Sequence, residues 1–410
     1  MKNTAIYILG GSQTDFARNW TREGLDLYDM FKENLLNSLE QADIPAADIE
    51  VAHVGNFVSA LFTGQAHLNG FFGHVHPDLA YVPSSSHEAA CASGSMAVLA
   101  AMRDIESGHY DLACVLGIEM MKNVDGKTAA GYLGAAGWNG KETRDCTFPW
   151  PSMFSQLYTE YQKRYGIDAE SLNKIAKNNF ENAKLNPNAQ TRNWEFNEHS
   201  FTRNDQTNPV IEGNIRKQDC GQVTDGAATI FLASETYAKA YAKKHGIELH
   251  NIPRIKGWGH KSAPMLQKEK LSLSKADALV FPHVKATFDD ALKRAGMQSI
   301  DELDGLEVHD CFSMTEYMII DHSGLTAPGE SFKAIDNGSI SMKGKLPINP
   351  SGGLMGLGHP VGATGVRMLL DAYKQVTATA GNYQVAGAQN FGVFNLGGST
   401  TTCASFIVGV

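Results

Sequence analysis

Charge is scarce in this sequence: 19% of its 410 residues are Asp, Glu, Lys or Arg, and the balance is acidic, with a formal net charge of −9 and a pI near 5.9. A polyphosphate partner needs a basic field, so nucleic acid is excluded as the main ligand. Cysteine is sparse as well. The six cysteines, at 91, 114, 146, 220, 311 and 403, form no C-x-x-C pair and no zinc-finger spacing with histidine, so they read as reduced thiols and no metal site is expected. Long apolar runs are missing. No stretch of about 18 such residues occurs, which excludes a membrane-spanning helix. The opening MKNTAIYILGGSQTDFARNW holds an apolar run too short for a signal-peptide core, and the terminal ASFIVGV is no peroxisomal address of the S-K-L type. A cytoplasmic protein is expected.

Glycine, by contrast, is plentiful: 40 glycines beside 14 prolines and 43% hydrophobic residues describe a turn-rich globular chain, long enough for two or three domains. Lys2 to Leu9 reads as a buried strand closed by a turn at Gly10-Gly11-Ser12. Leu27, Met30, Phe31, Leu35 and Leu39 then form an apolar helical stripe that runs until Pro45, and VAHVGNFV reads as the next strand. The same order returns late in the chain, where a helix ending at Leu292 and Ala295 leads through SIDELDG to the strand-like LEVHDCF. Matching Leu39 with Leu292 gives an offset of 253 residues, more than the 158 from Pro253 to the end, so the first copy must carry an insertion.

That insertion is placed between the strands YDLACVLGIEMM and VTDGAATIFLAS. It has Gly/Asn/Trp-rich loops, one helical segment from about Ser152 to Ala183, and nearly balanced charge from Lys122 to Asp219 within an acidic whole, which marks it as a candidate anion-facing cover over a site. A decoration without ligand contact is the alternative. The expected organisation is an N-terminal half at 1–121 and 222–252, an inserted loop domain at 122–221, and a C-terminal half at 253–410. Strands alternating with helices in two related halves imply an α/β layered sandwich.

Four segments could carry chemistry. In SSSHEAACASGSMAVLAAM, Cys91 sits in a turn that feeds a helix N-terminus, where backbone N–H groups stabilise a thiolate or an oxyanion. A lone cysteine among alanines is otherwise an ordinary small core residue. In INPSGGLMGLGHPVGATG, His359 occupies a glycine-rich turn that opens another helix and can serve as a general base. In EVHDCF, His309 and Cys311 end a strand with the spacing of two that puts them on one face, and an acid/base pair fits better than a metal site lacking further ligands. In FNLGGSTTTC, the Gly397-Gly398 step interrupts a strand and can expose an oxyanion-binding N–H or simply form a bulge.

Together CASGSMAV, HDCF, NPSGGLMGLGHPVGATG and NLGGS resemble, in this order, the motifs of the thiolase superfamily over nearly the whole chain. The resemblance implies an αβαβα sandwich of two related halves with an inserted loop domain, an acylated nucleophile at Cys91, and an activating base at His359. Standard thiolases have N-E-A-F where this chain has His309-Asp310-Cys311-Phe312, and C-x-G where it has Asn395-Leu396-Gly397. Both departures resemble the sterol-carrier-protein type of thiolase. On that pattern Cys311 is the second catalytic cysteine, His309 and His359 shape one oxyanion hole, and the Cys91 and Gly397 amides shape the other. With the sequence ending at Val410, no fused sterol-carrier domain is expected.

By the same resemblance the substrates are acyl-CoA and CoA, with no tightly bound cofactor, and the protein is a homodimer or homotetramer. The expected reaction is reversible thiolysis of a 3-ketoacyl-CoA or Claisen condensation of acyl-CoA; no CoA-contacting residue of the insertion is assigned. Three alternatives stand beside it: a ketoacyl-synthase-like enzyme, a C-acyltransferase with a small-molecule acceptor such as a phenol, and a non-catalytic acyl-CoA-binding scaffold subunit.

Overall fold

The computed structural model describes residues 5–142 and 146–410. The first helix shows how local chemistry sets its elements. Asp26 accepts hydrogen bonds from the N–H groups of Tyr28 and Asp29, and the Asp29 carboxylate accepts one from the Asp26 N–H, closing a capping box that starts α1 (Leu27–Ala42). Asp43, left-handed at φ 48°, ends it, and the stripe read from the sequence is buried. Before it lies β1 (Ile6–Gln13), and after it come β2 (Val51–Gly55), the short helices α2 (Ser59–Thr63) and α3 (Phe72–Val75), β3 (Ser84–His87), α4 (Ser93–Glu106) and β4 (Leu112–Glu119).

β1 departs from the sequence reading. Lys2–Thr4 lie outside the described residues, and Gly10-Gly11 do not end the strand but form a bulge inside it, where the register against its neighbour shifts between Ile8 and Gly11. Gly11 has φ 146°, and a Cβ there would run into the Thr229 carbonyl, so a side chain is barred.

The insertion follows β4 with α5 (Gly126–Leu133), α6 (Pro149–Tyr165), α7 (Ala169–Ala183) and a hairpin of β5 (Val210–Glu212) and β6 (Ile215–Arg216). The single helix expected from Ser152 to Ala183 is two. Gly166 adopts φ 74° as the C-cap of α6, and Asp168 caps α7 through the Glu170 N–H. Leu157, Tyr161, Leu172 and Phe180 of these helices share one core with Met318, Leu306 and Phe394 of the second half. The insertion is therefore packed into the fold.

The first half closes with β7 (Gly226–Ala233) and α8 (Glu235–His245). The second contains β8 (Arg254–Ser262), α9 (Gln267–Leu273), α10 (Pro282–Ala295), β9 (Gly305–Val308), α11 (Ser313–His322), α12 (Ser331–Asp336), α13 (Thr364–Val376), β10 (Asn390–Gly397) and β11 (Thr402–Gly409). The 253-residue offset carries Ala42, the end of α1, onto Ala295, the end of α10.

The strand order β3-β2-β4-β7-β1-β8-β11-β10-β9 shows the repeat again. Outward from the centre, β1, β7, β4, β2 match β8, β11, β10, β9. β2 lies parallel to β4 as β9 does to β10, while β7 and β11 run antiparallel to both their neighbours. β3 has a remnant counterpart in Ile348, which bridges Leu306 in parallel. The half-sheets join through Ile6↔Ile255 and Tyr7↔Arg254. Between them lie α4 and α13, with Ala97, Val98, Val366 and Leu369 packed against Val115 and Ile230 on one side and Val393 and Phe406 on the other. Helices α1 and α8 cover the outer face of the first half-sheet, and α10 and α11 that of the second. This is the five-layered α/β sandwich expected from the sequence.

Candidate active site

The two central helices bring their N-termini together. This close approach needs glycine: a Cβ on Gly94 would meet the Gly362 carbonyl at 2.8 Å, and one on Gly365 would meet Ser95. Both positive helix ends thus face one spot. Cys91 precedes α4 in a strained turn, with Ala90 at φ 51°. The Ser93 hydroxyl holds this turn, donating to the Ala90 carbonyl at 2.6 Å and accepting from the Ala89 N–H at 2.9 Å. His359 precedes α13, and His309 to Cys311 link β9 to α11.

The structure brings the sequence-selected side chains together. The Cys91 sulfur and one ring nitrogen each of His309 and His359 lie within 4.8 Å of one another, and the two rings stand edge to face with centroids 5.2 Å apart. Cys91, Cys311 and His359 line a cavity of about 410 Å³, whose walls include Phe57, Met121, Leu133, Trp150, Phe154 and Phe312. His309 lies behind it, fully buried. Gly397 is close by, at the end of β10. The N–H that reaches the Cys91 thiol belongs to Gly398, the next residue, whereas Gly397 lets β10 pass the Ala89 carbonyl, which a side chain would strike.

Burial favours the neutral form of both thiols and both imidazoles. It pushes the Cys91 thiol up to about 12, despite the Gly398 amide and its own, and the nearby Glu119 carboxyl adds to the rise. Cys311 is pushed up first by burial and then by its proximity to Cys91. His359 is pushed down to about 3, and His309 well below the usual imidazole range, again by burial first. The resting site is a pair of thiols beside a pair of neutral imidazoles. An ordinary helix N-terminus lowers a thiol's pKa, but removal from water outweighs it here.

Each ring has one fixed nitrogen. His359 Nδ1 lies 2.7 Å from the Thr364 hydroxyl, and His309 Nδ1 lies 2.9 Å from Asn395 Nδ2, while Nε2 of both is buried without a partner among the described residues. The trio has the compactness of a metal-binding group.

Several residues that sequence reasoning missed frame this site. Glu119, at the end of β4, accepts from the N–H groups of Phe57, Val58 and Gly362 and from the Asn56 side chain, tying the β2 loop to the turn after His359. Residues 220–224 act as a strap. The Gly221 N–H donates to the Cys311 carbonyl at 2.8 Å, and the Thr224 hydroxyl accepts from the His359 N–H at 2.9 Å. Lys270 donates to the hydroxyls of Ser399 and Thr401 at 2.7 and 2.9 Å, bracing the turn that carries Gly398.

Residues 6–236 match the thiolase N-terminal domain family, and residues 267–410 match the thiolase C-terminal domain-like family. The chain belongs to the thiolase family. The acetyl-CoA acetyltransferase of Methanothermobacter thermautotrophicus is 30% identical over 98% of both chains. Sterol carrier protein 2 of Gallus gallus is 27% identical over 96% of this chain and 69% of its own. In structure, the thiolase fold is matched by human mitochondrial 3-ketoacyl-CoA thiolase, with a TM-score of 0.70 at 15% identity over 99% of this chain and 98% of that one. An Ltp2-ChsH2(DUF35) aldolase reaches a TM-score of 0.76 at 18% identity with the same coverage. This thiolase is an acyltransferase of the acetyl-CoA acetyltransferase type. Among its described residues no helix is long and apolar enough to cross a membrane.

Proposed function

We propose that this thiolase performs reversible thiolysis of a 3-ketoacyl-CoA through an acyl-Cys91 intermediate, and that the observation carrying this reading is the placement of two neutral thiols and two neutral imidazoles at one cavity. As the Cys91 sulfur bonds to the keto carbon, its proton passes to His359 Nε2, and the new oxyanion faces N–H donors. Collapse breaks the bond between C2 and C3 and expels the enolate of acetyl-CoA or a related acyl-CoA, which takes the Cys311 proton. Free CoA then attacks the acyl-cysteine and gives its proton to the Cys311 thiolate. The Cys91 sulfur leaves and recovers its proton from His359. The reverse sequence, in which the Cys311 thiolate deprotonates an acyl-CoA, is the Claisen condensation.

CoA thioesters are supported as substrates by the acetyl-CoA acetyltransferase relatives and by a solved human mitochondrial 3-ketoacyl-CoA thiolase in complex with CoA. The exposed Lys217 at the cavity is a cation suited to the anionic end of such a ligand, and the inserted segment 122–221 acts as its cover. A homodimer or homotetramer is the proposed assembly; β3, at the edge of the sheet, has a strand neighbour on one side alone among the described residues.

The test is intact-protein and peptide mass spectrometry after incubation with acetoacetyl-CoA. The expected result is an acetyl adduct on Cys91, absent in Cys91→Ser and discharged by added CoA. Absence of the adduct in the wild type, as a non-catalytic scaffold would give, overturns the reading.

A further inference from the structure

The two imidazoles of this site are chemically identical, yet the reading above needs both an acceptor for the Cys91 proton and N–H donors for the oxyanion. We propose that Thr364 and Asn395 are positioning residues that lock the two rings in opposite tautomers, making His359 Nε2 a proton acceptor and His309 Nε2–H a hydrogen-bond donor. The consequence for catalysis rests on the acyl-transfer reading, whereas the tautomers themselves do not.

The argument is an inventory of protons. The Thr364 hydroxyl is directed at the Pro360 carbonyl at 3.0 Å, beside the Ala363 and Thr364 N–H groups that donate to the same oxygen, and its single proton is placed there. Its oxygen, 2.7 Å from His359 Nδ1, is left with lone pairs, and Nδ1 must carry a hydrogen. His359 Nε2 is then bare. At the other ring, the structure sets the Asn395 Oδ1 against the Ser95 hydroxyl at 2.8 Å and the amide nitrogen against His309 Nδ1 at 2.9 Å. An NH₂ group can only donate, so Nδ1 must be a lone pair and the ring proton sits on Nε2. Both Nε2 atoms are buried and otherwise unpartnered, so nothing competes with this assignment among the described residues.

The division is what the reaction requires. Two acceptors would set a lone pair against the developing oxyanion, and two donors would leave no base for the Cys91 proton. Burial disfavours the doubly protonated ring at both positions, so neither histidine can fill both roles at once in the free enzyme. Asn395 lies on β10, with its amide nitrogen 2.9 Å from His309 Nδ1. In this chain that position sets a tautomer.

The test is ¹⁵N NMR of enzyme labelled only in histidine, with the two resonances assigned by their loss in His309→Ala and His359→Ala. The expected spectrum has His309 protonated at Nε2 alone and His359 at Nδ1 alone; a wild-type His309 protonated at Nδ1 overturns the proposal. In Asn395→Asp the carboxylate accepts, so Nδ1 of His309 is expected to gain a proton, and a folded variant whose Nδ1 stays bare also overturns it. Asn395→Leu is expected to give mixed tautomers and a kcat lower by about tenfold or more with KM little changed, since lost oxyanion donors act on the transition state. A merely structural asparagine would shift the melting temperature but not the ¹⁵N pattern. Should either variant fail to fold, the wild-type spectrum decides. Correct tautomers without a Cys91 adduct from acetoacetyl-CoA would sink the acyl-transfer reading and leave this one standing.

Discussion

Asn179, on the inserted helix α7, donates to the Asp310 carboxylate at 2.9 Å across 131 residues of sequence. The same side-chain nitrogen donates to Glu316 at 2.6 Å, so one amide of the insertion serves two buried carboxyl groups of the second half. Asp310 also accepts from the N–H groups of Leu354 and Met355, in the π-helical turn Gly353–Leu357. The residue between His309 and Cys311 is thus the joint at which the insertion, the HDCF segment and the glycine-rich segment meet.

Replacing Asn179 with Ala leaves buried acceptors short of a donor and is expected to lower stability by about 1–3 kcal/mol. Urea unfolding at neutral pH checks this. Because Cys311 follows Asp310 directly, condensation is expected to slow more than acylation of Cys91. A variant with wild-type midpoint and rates would show that the joint is dispensable.

Glu316 gives a pH-dependent prediction. Burial, with the Asp310 charge beside it, raises its pKa to about 8 from an ordinary 4.5. A carboxyl group whose folded pKa is raised contributes fully below its unfolded pKa, and that contribution is lost as pH climbs toward the folded value. Both donors, Asn179 and Asn349, address its Oε2, and Oε1 has no partner among the described residues, so Gln can keep both bonds. Glu316→Gln is therefore expected to match the wild type near pH 4.5 and to gain on it steadily up to about pH 8. Equal melting temperatures across that window would place the titration elsewhere.

The features legible in sequence were those with local signatures. The α1 stripe, the 253-residue offset and the four small-residue segments around Cys91, Cys311, His359 and Gly397 each announce themselves within a short window. Gly166 was also visible, but a helix-period pattern on both sides hid its role as a C-cap. The Gly10-Gly11 bulge read as a turn because the partner that excludes a Cβ there, Thr229, lies on another strand far along the chain. Glu119, Asn179 and Thr224 left no trace for the same reason: each acts through a hydrogen bond to a distant segment, and such pairing has no period.

The raised Cys91 pKa predicts how the free enzyme meets an electrophile. With a thiol near 12, the thiolate fraction grows about tenfold per pH unit through the neutral and mildly alkaline range. Iodoacetamide alkylation of Cys91, followed by peptide mass spectrometry, should rise with that slope from pH 6 to 9 without levelling. A plateau near pH 7 would mean a preformed thiolate and would take the proton-accepting task away from His359.

Cys311 separates carbon chemistry from acyl transfer. In the proposed cycle it protonates or deprotonates the substrate's α-carbon and is reset by the CoA proton, whereas in exchange between acetyl-CoA and CoA no enolate forms, and His359 passes the Cys91 proton to the departing CoA sulfur and back. Cys311→Ala is expected to retain exchange of label between acetyl-CoA and free CoA within about tenfold, and to lose thiolysis and condensation by about 10²-fold or more, the range of a removed general acid or base. Thr315, whose hydroxyl lies 3.7 Å from the Cys311 sulfur, offers too weak and distant a donor to replace it. If the variant still condensed a malonyl donor with loss of CO₂ at the wild-type rate, decarboxylation would be supplying the enolate, and the site would operate as a ketoacyl synthase. If exchange and thiolysis fell together, Cys311 would have to be assigned to acylation itself.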